Sequence, residues 1–397
     1  MKIENVSVLK FFIVYIILSG GLIVGLYNFF EGDFFLLKDL PVVALVIMMF
    51  FMFSRNFPLA VFRYLIPIFL FIIMSFFMSD ASAFLAMASF RQLVMPFVFI
   101  LIGYVFIKSI KDYDGLVKTV ISVMFVIVMF GLFERFFLIW TFIDVSSFYN
   151  FKNISVFHYG YPVFWIEPVS LFGYQTFENG IPRMVSLILD PVNLGHMLVC
   201  VFLLVLFEGR KFLTIHAHYF MILVFFIGIL LTFSKGSWLQ LFLAAIILNH
   251  NISIFFKFIG FVISLPFVYL YVSTHAGFMA HFYGFISIYD HITLFGDGLG
   301  SYGNYSRMFS EDYVDEVGDS YWAAVIGQIG ILGFFTWIMT FIFIAKKNGF
   351  NHYLSWLLLS QVFVSSLSEN TFNFMSVFLM MIFVGAYLRI RVRGQER

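Results

Sequence analysis

Apolar runs of membrane-spanning length recur about twelve times along the chain, and no other feature limits its fold so strongly. A hydrocarbon core about 30 Å thick is crossed by about 20 helical residues. Inside that core every backbone N–H and C=O must find a partner within the protein, so runs of this kind fold as helices. The windows fall at 9–30, 36–53, 58–78, 84–107, 118–141, 184–207, 213–232, 237–249, 254–273, 319–345, 352–368 and 371–389. Composition agrees, with 62% hydrophobic and 11% charged residues, where a soluble domain carries about a quarter charged. The expectation is an all-α polytopic membrane protein, a single integral membrane domain over residues 1–397, with about 12 transmembrane helices and two large external loops.

Several function classes drop out early. A net charge of +1 gives no basis for binding nucleic acid. The lone Cys200 excludes an intramolecular disulfide and a cysteine metal site. The histidines show no zinc-binding spacing, so no metal is expected. Lys2 and Lys10 precede a long apolar run with no small-residue cleavage site after it, which predicts an uncleaved first span.

Orientation follows from basic residues in short connections. Arg55, Lys108, Lys111, Lys118, Arg210, Lys211, Lys346 and Lys347 fall on alternate connections, together with both termini. That side is the cytoplasm by the positive-inside rule. Two long connections, 142–183 and 274–318, then face outward. They hold His158, Tyr159, Trp165 and Glu167 in the first and Tyr302, with nearby acids, in the second; Tyr321 follows just beyond. Aromatic planes beside hydrogen-bonding groups suit sugar rings, and an interfacial aromatic belt suits them equally.

Ionisable residues within or beside apolar windows are the sharper signal. A charge at mid-span costs roughly 2.5–3.5 kcal/mol on insertion scales, so it tends to have a partner or a task. Arg91, Glu134-Arg135, Arg183, Lys235, Asp319 and Glu369 all fall toward the external side of the expected topology. Cations at that depth suit a phosphate or diphosphate head group. Internal ion pairing or snorkelling would also account for Arg91 and Arg135. Gly298-x-Gly300-x-x-Gly303 matches the dinucleotide fingerprint but lies between membrane windows, without the strand and helix that the motif requires. Its glycines are expected to turn the backbone tightly.

Four segments together resemble the O-antigen ligase/polymerase superfamily. Asp319-Ser320, nine residues, then Gly330-x-x-Gly333 resembles its His-[Asn/Ser/Gln]-x9-Gly-x-x-Gly motif, with Asp in place of His. The stretch Arg183-Met-Val-Ser186 to Asp190-Pro191-Val-Asn193-Leu-Gly195 resembles a second motif, with one residue inserted before Asn193. Thr232-Phe-Ser234-Lys235-Gly236 resembles Thr-x-Ser-Arg-Gly, and Gly296-Asp-Gly298-Leu-Gly300 resembles a glycine-rich stretch before the catalytic loop.

The resemblance implies a GT-C-like glycosyltransferase of the bacterial inner membrane, with cytoplasmic termini and a periplasmic active site. Its donor would be an undecaprenyl-diphosphate-linked glycan, with no cofactor, and a chain-length-regulating copolymerase is a possible partner. Asp319 in place of the ligase histidine favours a Wzy-type polymerase, which joins repeat units. The alternatives are a ligase moving finished polymer to lipid A core, and a flippase. In the polymerase reading Asp319 is the base, with Glu167, Glu178, His158 or Glu369 as alternatives to it, and Arg183 as the second catalytic residue. Arg91, Arg183, Lys235 and Arg135 bind diphosphate, and His158, Tyr159, Trp165, Glu167, Tyr302 and Tyr321 bind glycan.

Overall fold

The structure is a computed structural model that describes residues 5–30, 39–53, 59–137, 156–158, 169–171, 183–248, 292–303 and 320–395, with the isolated residues 37, 286, 289 and 306. Its helices are α1 (Asn5–Phe30), α2 (Leu40–Phe53), α3 (Leu59–Phe77), α4 (Ala83–Phe106), α5 (Ile110–Phe137), α6 (Pro191–Glu208), α7 (Ile215–Thr232), α8 (Lys235–Leu248), α9 (Tyr321–Asn348), α10 (Tyr353–Val364) and α11 (Phe374–Gln395). Among the described residues, 7 helices are long and apolar enough to cross a membrane, and shorter apolar helices cover Leu40–Met52, Phe62–Phe77 and Tyr353–Val364. The chain is a helical, membrane-embedded protein. Each expected window contains one of these helices except 254–273, which lies outside the described residues. One short antiparallel pair departs from the all-α expectation: β1 (Val156–His158) runs against β2 (Val169–Leu171), with Val156 opposite Leu171.

Two helix starts differ from expectation, each for a local reason. The fifth window begins at 118, yet α5 begins at Ile110. Ser109 and Asp112 form a reciprocal cap: Asp112 N donates to Ser109 Oγ at 3.1 Å, and Ser109 N donates to Asp112 Oδ2 at 3.0 Å. Lys111 and Lys118 therefore lie on a helix, where a connection had been expected. The sixth window begins at 184, yet α6 begins at Pro191. Asp190 accepts from Val192 N at 2.8 Å and Asn193 N at 2.9 Å, and the Pro191 ring bars its predecessor from helical geometry. Residues 183–190 are instead irregular, with a single 3-10 turn at Ser186–Ile188.

The chain divides into two compact units, Met1–Asn56 with Val105–Trp238, and Phe57–Tyr104 with Leu239–Arg397. In the first unit, α1, α5, α6 and α7 bury aliphatic side chains such as Ile13, Ile17, Leu116, Val120 and Leu198. In the second, aromatic rings dominate: Phe97 stacks on Phe341 at 5.1 Å, and Trp337 meets Phe341 edge-on at 5.0 Å. Between α4 and α11 a Cβ at Gly103 or Gly385 would collide with the carbonyl of Ile382 or Ile100, respectively. Small residues permit that approach, and in lipid such packing replaces the missing hydrophobic force between helices.

Candidate functional site

The first unit brings together the two segments carrying Arg183 and Lys235. Residues 183–190 are irregular backbone laid against helices. Ser186 Oγ donates to Ile127 O of α5 at 2.6 Å, and a Cβ at Gly131 would meet Met184 Sδ at 2.9 Å. On α1, Gly20 lies beneath the carbonyls of Leu187 and Ile188. Irregular backbone at membrane depth survives only when enclosed by protein in this way.

The α7–α8 turn closes over the same segment. Met184 N donates to Leu231 O at 2.9 Å, and Arg183 Nε donates to Thr232 O at 2.7 Å. Thr232 ends α7, where backbone carbonyls lack helical partners and carry the negative end of the dipole. The guanidinium is thus held by its Nε. Lys235 starts α8 and is exposed. Burial of part of its side chain, and then the nearby Arg183 guanidinium, hold its pKa below the ordinary lysine value. Gly195 of α6 completes the junction, since a Cβ there would stand 2.5 Å from Ser237 Oγ and 3.0 Å from Ser234 Cβ.

The backbone here is strained. Among the described residues the non-glycine positions with positive φ are Ser186 at 50°, Leu189 at 62° and Phe233 at 49°, and all three lie in these two segments. A left-handed conformation costs an L residue roughly 1–2 kcal/mol. Such strain clusters at sites where geometry matters to function.

The second unit contains the glycine-rich segment, and its arrangement is different. Helix α9 is interrupted at Gly330, with φ 73° and ψ 173°. The glycine-rich strand of chain lies against the gap: Ile331 N donates to Thr293 O at 3.0 Å, and Asp297 N donates to Gly327 O at 2.8 Å. Gln328 Nε2 donates to Tyr302 O at 2.7 Å, and Ser75 Oγ of α3 donates to Gln328 O at 2.5 Å. Gly296, Gly298, Gly300 and Gly303 all have positive φ, as the turn reading required. This stretch was expected in an external loop. Its described residues run beside the interior of α9, roughly 9–14 Å from that helix's first residue.

The remaining expected residues are placed as follows. Arg91, on α4, is half-buried with its guanidinium carbon 5.5 Å from the centroid of the Phe374 ring. Tyr302 donates its hydroxyl to Asp297 Oδ2 at 2.8 Å and lays its ring on Gly327. Tyr321, expected among the glycan-binding residues, is 1% exposed and stacks on Phe372 at 5.1 Å, so its ring packs in the core. Asp319 lies outside the described residues, directly before Ser320, the α9 cap, whose Oγ donates to Ser366 O at 2.7 Å. Tyr159, Trp165 and Glu167 also lie outside them. Arg135 and His158 are described as backbone of α5 and β1. Arg183 and Lys235 belong to one unit, and Arg91 and Tyr302 to the other.

Sequence reasoning assigned no role to Asn193, His196 or Ser234, which the structure buries within or beside the same junction. The available signal was the presence of Asn193 and Ser234 in segments already singled out, with His196 directly after the first of them. Among the described residues no group of three or more His, Cys, Asp or Glu side chains could hold a metal ion. No protein-family model matches the chain, and no curated protein matches it.

Proposed function

We propose that the protein is a polysaccharide polymerase of the bacterial inner membrane, an inverting glycosyltransferase that joins undecaprenyl-diphosphate-linked repeat units at the periplasmic face. The observation supporting this reading is the Arg183–Lys235 pair: one cation anchored to the Thr232 carbonyl, a second near enough to repel it, on a backbone strained at three positions. Two like charges held together lose their mutual penalty when a diphosphate binds between them. They also stabilise the charge that grows on the diphosphate as the glycosidic bond breaks.

The acceptor hydroxyl oxygen attacks the anomeric carbon. The sugar–phosphate bond breaks and its electron pair leaves on the diphosphate, which needs no general acid. The hydroxyl proton passes to Asp319, an assignment that rests on the sequence motif. A free Asp titrates near 3.9, so a useful base at neutral pH needs desolvation to raise it. No cofactor enters the reaction, and a chain-length-regulating copolymerase is the expected protein partner.

Deleting the gene in its host and analysing the surface glycan tests the reading. A polymerase deletion leaves lipid A core bearing single repeat units, restored to polymer by the wild-type chain and not by Arg183→Ala. Polymer stranded on the carrier lipid would identify a ligase instead, and single units held on the cytoplasmic face would identify a flippase.

A further inference from the structure

A second basic site lies at the opposite end of α5. Lys111 on α5 is twenty residues before Gly131, which touches the Arg183 segment, so the two sites are roughly 30 Å apart along the helix, about one hydrocarbon thickness. Here a cavity of about 540 Å³ opens between α1 and α5, lined by Val6 and Lys10 from α1 and by Ile110, Lys111, Asp112, Asp114, Gly115 and Lys118 from α5. The spacings 6, 10 and 111, 115, 118 each mark one helix face. Gly115 makes the room: a Cβ there would stand 2.8 Å from Lys10 Nζ.

The charge balance is the informative part. Three lysines line the cavity against two acids. Asp112 accepts from the backbone of Ser109 at 3.0 Å and of Lys108 at 3.2 Å, and Asp114 lies 3.6 Å from Lys211, which pairs more closely with Glu208. Lys118 Nζ lies 5.3 Å from the centroid of the Phe212 ring, a contact that fixes the ammonium without neutralising it. Lys10, Lys111 and Lys118 thus outnumber the acids of one cavity, three to two. Ile110 beside them is exposed and apolar, as at a lipid boundary. Basic pockets between helices near a membrane surface recognise phosphate head groups.

We propose that this cavity binds the anionic phosphate of a membrane phospholipid head group, with Lys10, Lys111 and Lys118 as its ligands. The site is independent of the polymerase reading. Its chemistry would also accept a free phosphate, so the test separates the two sources.

The purified full-length protein is titrated in detergent with phosphatidylglycerol, phosphatidylcholine or sodium phosphate, and adducts are counted by native mass spectrometry. Phosphatidylglycerol is expected to bind and phosphatidylcholine to bind far less. Each interfacial lysine contributes about fivefold to affinity for anionic lipid, so the triple variant Lys10→Gln, Lys111→Gln, Lys118→Gln loses roughly a hundredfold. The triple Arg variant keeps binding, which separates lost charge from lost fold. Displacement of phosphatidylglycerol by millimolar-range sodium phosphate would keep the phosphate site and overturn the lipid as its source. Equal binding of both lipids, or a triple Gln variant that binds like wild type, would overturn the site.

Discussion

The Arg183–Gly236 junction and the Leu294–Gly333 region both interrupt helices in a mostly apolar chain, and they do so with different materials. Around Gly330 the break is made of glycines, where a positive φ costs little. Its freed backbone groups are matched by the chain laid beside them, and its acid, Asp297, accepts from Tyr302. Around Arg183 the break is made of Ser186, Leu189 and Phe233, for which the same conformation is strained, and it presents cations. An internally satisfied break built from the easiest residue is a structural device. A charged break built from strained residues is a candidate site, held at some cost in stability. The glycine-rich motif, the most conspicuous pattern in the sequence, therefore marks architecture, and the unremarkable Thr-Phe-Ser-Lys turn marks the candidate chemistry.

Substitutions can break this contrast, and the largest effect is expected at the glycine break. Gly330→Ala combines a left-handed Ala with a collision against the Leu294 carbonyl, for a loss of about 2–5 kcal/mol, read as a lowered thermal midpoint in detergent. Gln328→Leu comes next. It leaves Tyr302 O and Gly300 N without their side-chain partner and costs about 1–3 kcal/mol in the same assay. At the charged break, strain is isolated by comparing two variants that lose the same ring: Phe233→Gly should exceed Phe233→Ala in stability by about 1–2 kcal/mol. Equal midpoints would show that Phe233 stores no strain. The smallest effect is at the α6 cap, where Asp190→Ala costs about 1 kcal/mol.

Much of this organisation could be read from residue order. Runs such as that of α1 announce a helix because lipid leaves the backbone no other solution. The start of α6 was present in Asp190-Pro191, although apolarity alone extends the window back to 184. The capped start of α5 was likewise present in Ser109-x-x-Asp112, hidden by the lysines that follow it. The break at Gly330 was not legible, because an isolated glycine inside an apolar helix is commonly tolerated. Nor were Leu189 and Phe233, since an apolar residue in an apolar run says nothing about its φ. Arg183 and Lys235 were legible as costly charges, and their proximity follows from a backbone path between 183 and 190 that periodicity does not encode.

The pair also has a pH signature. Lys235 loses its proton at a lower pH than an ordinary lysine, so binding of a diphosphate should weaken as pH rises through that lowered value. Lys235→Arg should remove the alkaline fall while keeping the charge, since Arg stays protonated throughout.

The most direct test is the affinity of the purified protein for undecaprenyl diphosphate, compared between wild type and Arg183→Ala at equal thermal stability. Removal of a charge-stabilising group of this kind costs about 10²–10³-fold in catalysis, and loss of a hydrogen-bonded charge partner costs about 2–5 kcal/mol in binding. The account predicts a fall in affinity of at least about thirtyfold, the lower end of that range. An Arg183→Ala protein that binds the diphosphate as tightly as wild type would contradict it.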